Sequence, residues 1–301
     1  MVKSEKRLAH KSGKLHKTFY ETIEPYLFLV PALVVFGVFL FYPFVRTVYL
    51  SFFLTDKYGQ AKIFWAFKNY TDIFNDSSFW ISLKVTFQFV LMVAAGGLII
   101  GLITSLLTAK KYPGNAFASA VYAMPVAIAS AAASMSFKMI LHPTNGLLNI
   151  VFGTSINWTG DPRYALISVA GMTIWLTSGI NFIFISAGLR NIPDELYESA
   201  SIDGAGYWKR LRHITLPGLS PTLFFQVIIN IIGAFQSFSQ IRLLTKGGPG
   251  DATNVIVYNI YKNAFENFRF GTAAALSVIL FVIILIITLF QFSMEKRSVN
   301  Y

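Results

Sequence analysis

Tyr197-Glu198-Ser199-Ala200-Ser201-Ile202-Asp203-Gly204-Ala205-Gly206, followed by Ile214-Thr215-Leu216-Pro217, lies in a polar island between two long apolar runs. The runs on either side decide the architecture. A helix needs about 20 apolar residues to cross a bilayer core. Six stretches qualify, near 26–52, 79–109, 117–141, 163–187, 219–241 and 273–294. The expected fold class is therefore all-α: a polytopic membrane protein with six transmembrane helices. Residues 1–25 form a basic tail, and the rest is one membrane domain whose polar loop spans about 188–218. The first run is too long for a signal-peptide core and lacks a small-residue cleavage site, so it reads as a retained span.

Composition agrees with this reading. The chain of 301 residues is 54% hydrophobic and 13% charged, where a soluble domain carries about 25% charged residues. No cysteine is present, which excludes disulfides, thiolate metal sites and cysteine nucleophiles. The four histidines, His10, His16, His142 and His213, are scattered, and no metal or catalytic cluster is expected from them. The net charge of +11 sits between apolar runs, without a basic stripe interleaved with stacking aromatics. That pattern fits a membrane-lipid environment and no nucleic acid.

Lys and Arg set the orientation. Six crossings place both termini on one side, with the six Lys/Arg of the tail, Lys110, Lys111, Arg190, Lys209, Arg210, Arg212, Lys296 and Arg297. The other loops carry eight, so the termini and the 188–218 loop should face the cytoplasm. All 14 acidic residues lie outside the six spans. An ion-coupled secondary carrier, the main rival reading, usually buries a titrating carboxylate in the membrane. Its absence here weakens that class.

Within the loop, Pro193 suits a first helical turn. Asp194 and Glu195 then sit at the positive end of the helix dipole. The spacing predicts a short helix over 197–202, ended by Gly204 and Gly206. A second helix over 207–214 would carry Trp208, Leu211 and Ile214 on one side. Read this far, the loop could simply join two spans.

The residue order is more specific. Glu198-Ser199-Ala200-Ser201-Ile202-Asp203-Gly204-Ala205, then Ile214-Thr215-Leu216-Pro217, resembles the EAA loop of ABC importer permeases, with Ser199 where that loop has its first Ala. Phe235-Gln236-Ser237-Phe238, Leu244-Thr245-Lys246-Gly247-Gly248-Pro249, the run Tyr258 to Phe265 and Gly271-Thr272-Ala273-Ala274-Ala275 look like the second half of carbohydrate-type permeases. That group includes the maltose and sn-glycerol-3-phosphate importers.

The resemblance implies a type I importer permease fold. It implies that the loop docks on a cytoplasmic ATPase through Glu198, Ala200, Asp203, Gly204 and Ala205. It implies four kinds of partner: a second, homologous permease subunit in a heterodimer, two ABC ATPase subunits, an extracellular solute-binding protein and the lipid of a bacterial inner membrane. The chain has no Gly-x-x-x-x-Gly-Lys-Ser/Thr loop. It would thus not be an enzyme and would bind no cofactor, with ATP and Mg²⁺ on the ATPase partners. The cargo would be a sugar or sugar-like polyol, including anionic ones such as glycerol phosphate. The external loops, about 53–78, 142–162 and 242–272, would receive the binding protein.

Two sets of residues are candidates for handling that cargo. In the fifth run, Gln226, Asn230, Gly233, Ser237 and Gln240 are spaced 4, 3, 4 and 3 apart. On a continuous helix they share one face. Amides and hydroxyls both donate and accept, which suits polyol hydroxyls, although the same face could serve helix–helix packing. Trp175, Ser178 and Asn181 could add a stacking ring and hydrogen bonds. At the outer ends of their spans, Arg46, Lys84, Lys138 and Arg242 either snorkel to headgroups or line an outer vestibule that favours an anion.

Overall fold

The computed structural model describes residues 25–109 and 112–298, with side chains described up to Glu295. Most of the basic tail and the Lys110-Lys111 turn lie outside the described residues.

In chain order, helix α1 (Pro25–Leu50) leads into a two-stranded antiparallel hairpin, β1 (Phe53–Thr55) and β2 (Ala61–Phe64). Then come α2 (Lys68–Asn75), α3 (Ser77–Thr108), α4 (Asn115–Ala123), α5 (Ser130–Ile140), α6 (Leu147–Phe152) and α7 (Pro162–Arg190). The loop supplies α8 (Asp194–Ile202) and α9 (Tyr207–Gly218). The chain ends with α10 (Ser220–Phe235), α11 (Ser239–Leu244), α12 (Ile256–Tyr261) and α13 (Phe270–Ser298).

Four helices, α1, α3, α7 and α13, are long and apolar enough to cross a membrane by themselves. Two bent helix pairs would bring the number to six if each makes one crossing, so the structure supports four to six spans. The third run, 117–141, was expected as one helix. It instead bends by 105° between a segment ending at Ala127 and α5. Pro125 lacks the N–H that would continue the ladder, Met124–Ala127 tightens to a 3₁₀ turn, and Ile128 and Ala129 are extended. The chain also bends by 65° where α9 meets α10, next to Pro217 and Pro221, at the start of the run expected as the fifth span.

π-turns precede two prolines. One, at Gly37–Phe41, lies just before Pro43, and the other, at Leu211–Thr215, just before Pro217. A proline cannot donate to the carbonyl four residues back and its ring crowds it. A widened turn relieves both problems.

The centre of the molecule is the contact of α3 with α7. Small residues on α3 permit it. A Cβ at Gly97 would come within 2.6 Å of Thr177 Oγ1, and one at Gly101 would run into Asn181. Ser105 donates to the Phe182 carbonyl (3.1 Å) and accepts from Ser186 (3.1 Å). In a bilayer no hydrophobic force presses helices together, so such close approach and interhelical hydrogen bonds hold them. Helices α10 and α13 complete the core, where Phe89, Val93, Met172, Phe235 and Leu276 are fully or almost fully buried.

The end opposite the loop is more irregular. The hairpin turn is organised by Asp56, whose carboxyl is held below its ordinary range chiefly by the Gln60 backbone N–H, with Lys62 and the Tyr58 N–H assisting. Asn69 ties α2 to this hairpin by donating to the Ser51 and Phe53 carbonyls. The segment around α12 is anchored to α3 by Ile256 N–H on Thr86 Oγ1 (2.9 Å) and Asn259 on Ser82 (3.1 Å).

Candidate functional site

Helix α8 starts after Pro193, which caps it and does not enter its first turn, so Asp194 and Glu195 occupy that turn. Its end is a glycine cap of the Schellman type. Gly204 has φ +72° and donates to the Ser201 carbonyl, while Ala205 donates to the Ala200 carbonyl (2.8 Å). Only glycine adopts this left-handed backbone without cost. The chain can therefore reverse within two residues and start α9 at Tyr207.

Hydrogen bonds hold the loop together, and an apolar cluster ties it to the spans. Tyr197 Oη and Thr215 Oγ1 share a hydrogen bond of 3.0 Å, and Arg210 donates to Ser201 Oγ (3.0 Å). Ile185, Ile192 and Leu219 are buried in a cluster that gathers Tyr197 and Ile214 from the loop with Leu98 and Leu102 from α3. A Cβ at Gly188 would meet Thr222 within 2.7 Å, so α7 and α10 also approach closely here.

The outer face of the loop is different. Glu198, Asp203 and Gly204 are exposed, while Ala200 and Ala205 are half-buried. Ile202 is 88% and Trp208 76% exposed. Ile202 escaped the sequence reading. Its one signal was an apolar residue directly before the helix cap, where a helix tip points outward. Trp208 was expected to share a side with Leu211 and Ile214, but only those two pack inward.

The polar stripe of the fifth run is not one helix face. Helix α10 ends at Phe235, so Gln226, Asn230 and Gly233 lie on it, whereas Ser237 and Gln240 follow a break. The cause is local. Ser237 Oγ donates to the Gly233 carbonyl (3.2 Å) and its N–H moves to Ala234, which displaces the regular ladder. Asn230 and Asn181 are buried and bond each other reciprocally, at 2.9 and 3.1 Å. Gln226 donates to the Ile180 carbonyl, and its Oε1 has no partner among the described residues. Ser178 returns to the Trp175 carbonyl, and Trp175 packs on Phe137 at 5.5 Å. Gly233 alone of the set stands fully open, with nothing within 4 Å of an added Cβ.

Of the four outer cations, the structure brings Lys138 and Arg242 together. They line a cavity of about 390 Å³ with Lys246, Tyr258, Tyr261 and Glu266. Arg46 and Lys84 are exposed on α1 and α3 and do not line it. Burial, with the charges of Glu266 and Tyr261, pushes the Tyr258 phenol above its usual range. Lys246 and Glu266 were not candidates from sequence. They lie in an irregular segment whose path no periodicity predicts.

Residues 12–299 match the model of the binding-protein-dependent transport system inner membrane component family. The chain belongs to this family. As a permease it is 34% identical over 287 residues to the sn-glycerol-3-phosphate transport system permease protein UgpA of Agrobacterium fabrum, covering 94% of this chain and 98% of that one. It is 34% identical over 286 residues to the probable ABC transporter permease protein YurN of Bacillus subtilis, covering 92% and 97%. The permease fold superposes, with TM-score 0.82 and 23% identity, on a chain of a bacterial ABC transporter involved in the import of the acidic polysaccharide alginate, covering 95% of this permease and 100% of that chain.

Proposed function

We propose that this permease is one half of the pore of an ATP-driven importer that moves a sugar or sugar-like polyol, with both termini and the 188–218 loop in the cytoplasm. It pairs with a second, homologous permease. Two ATPase subunits supply the hydrolysis, with ATP and Mg²⁺ bound there, and a solute-binding protein delivers cargo to the outer face. The names of the relatives support the cargo class, since one is a glycerol-phosphate permease and another a subunit of an alginate importer. Helix α1 touches the last helix through Phe44 and Phe281 but has no buried residue in its most apolar stretch, which suits a helix shared with lipid and a second permease.

The observation that carries the reading is the two-sided loop. Its inner side is welded to α3, α7 and α10 through Tyr197, Ile214 and Leu219. Its outer side offers Glu198, Ile202 and Trp208 to a partner. An exposed apolar patch rimmed by charge marks a protein contact. A push on α8 would thus reach three spans as a rigid-body movement, as alternating access requires. In the transport path, Gly233, Gln240 and Trp175 form the open part of the cargo wall, whereas Ser178 and Ser237 are buried in this conformation. In this conformation Gln226, Asn181 and Asn230 hold that wall's helices together, and cargo reaches their amides only if the pair opens.

The test is uptake by the complex reconstituted with its own partner subunits. Glu198→Lys reverses the exposed charge, and Gly204→Pro forbids the +72° turn. Both variants should assemble yet lose cargo-stimulated ATP hydrolysis and uptake. Full stimulation in both would falsify the coupling role.

A further inference from the structure

We propose that the cavity between α5, α11 and α12 is an anion-recognition site, which selects cargo carrying a phosphate or carboxylate before it enters the membrane path. This deepens the importer reading and rests on it. The cavity lies beyond the far end of α10 from the loop, at the mouth where cargo would arrive. Lys138 comes from α5, Arg242 from α11 and Lys246 from the turn after α11. Glu266 is the one acidic residue in the lining. Among the described residues none of the three cations forms an ion pair. Like charges gathered in one cavity repel, and a small anion relieves that repulsion while the walls focus the field on it.

The cations are also positioned. The Arg242 guanidinium lies 4.4 Å from the Tyr261 ring centroid and 5.7 Å from that of Phe238. Such stacking leaves the N–H edge of the guanidinium free for a planar oxyanion. Lys246 has φ +51°, a left-handed backbone that favours glycine, and its N–H is held by the Ile241 carbonyl at 2.8 Å. The volume of about 390 Å³ admits a phosphorylated triol or one uronate ring. It is at the small end for a ligand pocket and too small to seat a protein surface.

The experiment uses the whole complex in proteoliposomes, made with and without phosphatidylglycerol. Uptake of sn-glycerol-3-phosphate and of a uronate trisaccharide is compared with uptake of glycerol and maltotriose. Arg242→Gln with Lys246→Gln should raise KM for the anionic probes about 10- to 100-fold at low salt. The gap should close as salt shortens the screening length below about 8 Å. Maximal rate should stay within about twofold, and Arg242→Lys should recover part of the loss. An equal loss for neutral and anionic probes would make the cluster structural and overturn the inference. So would an effect seen only with phosphatidylglycerol, which would assign the cavity to a lipid headgroup, or reduced stimulation of ATP hydrolysis by cargo-free binding protein, which would assign it to protein docking. A wild type that takes up only neutral probes overturns the inference and leaves the importer reading standing. Absence of ATP-dependent uptake of any probe overturns the importer reading itself.

Discussion

At the loop end the chain reverses through Gly204 and presents Ile202 and Trp208 outward. At the opposite end it reverses through Lys246 to Gly250 and presents Lys138, Arg242 and Lys246 around a cavity. The first surface is apolar and exposed with a rim of charge, and its inner side is pinned by hydrogen bonds and a buried cluster. The second is a hollow where three cations and Glu266 stand among Met135, Leu243 and two tyrosines. An exposed apolar patch suits a protein partner, whereas a cationic hollow suits a small charged solute. On the proposed reading, one chain separates the place where work enters from the place where cargo is chosen, with α3, α7 and α10 between them.

The largest expected effect breaks that separation at the loop. Gly204→Pro should lower uptake roughly 100-fold, since a misfit proline costs about 3 kcal/mol. The spans should remain folded, and circular dichroism of the purified complex checks this. Next comes the body that joins the two ends. Gly101→Leu inserts a side chain where even a Cβ meets Asn181. Overpacking of this kind costs about 1–3 kcal/mol. Thermal unfolding in detergent should show a lower midpoint, and an unchanged midpoint would mean that α3 and α7 separate easily.

The amide pair tests the cargo wall. Asn230→Leu leaves Asn181 without its buried partner, at a cost of about 1–3 kcal/mol, and should impair uptake while the complex still assembles. A double-mutant cycle with Asn181→Leu should return a coupling near 0.6 kcal/mol and at most about 1.7, the range for polar pairs between membrane helices. If Asn230→Leu and Ser237→Leu both keep wild-type transport kinetics, the stripe is packing alone. Tyr197→Phe, which removes one hydrogen bond to Thr215, sharpens the comparison most gently. It should cost about 0.5–1.5 kcal/mol and raise ATP hydrolysis without uptake, measured as the ratio of the two rates.

Much of this was legible in the residues themselves. Runs of about 20 apolar residues can be satisfied in a membrane only as helices, because each backbone group must then find its partner within its own segment. That rule marked six spans, and the structure has four long helices of that kind and two bent pairs that would supply the rest. The glycine cap of α8 was equally readable, since the left-handed turn it makes is a property of one residue type. What needed the tertiary structure was everything set by neighbours distant in sequence. Pro125 announced a break, but the 105° angle depends on what the two halves pack against. The 4, 3, 4, 3 spacing at 226–240 assumed a continuous helix, and a serine hydroxyl competing for the Gly233 carbonyl ended it at Phe235. Asn181 and Asn230 each looked free to bind cargo, and only their convergence from positions 49 apart made them a pair. Lys138 and Lys246 became neighbours in a cavity for the same reason: periodicity describes one helix at a time, whereas a site is where several meet.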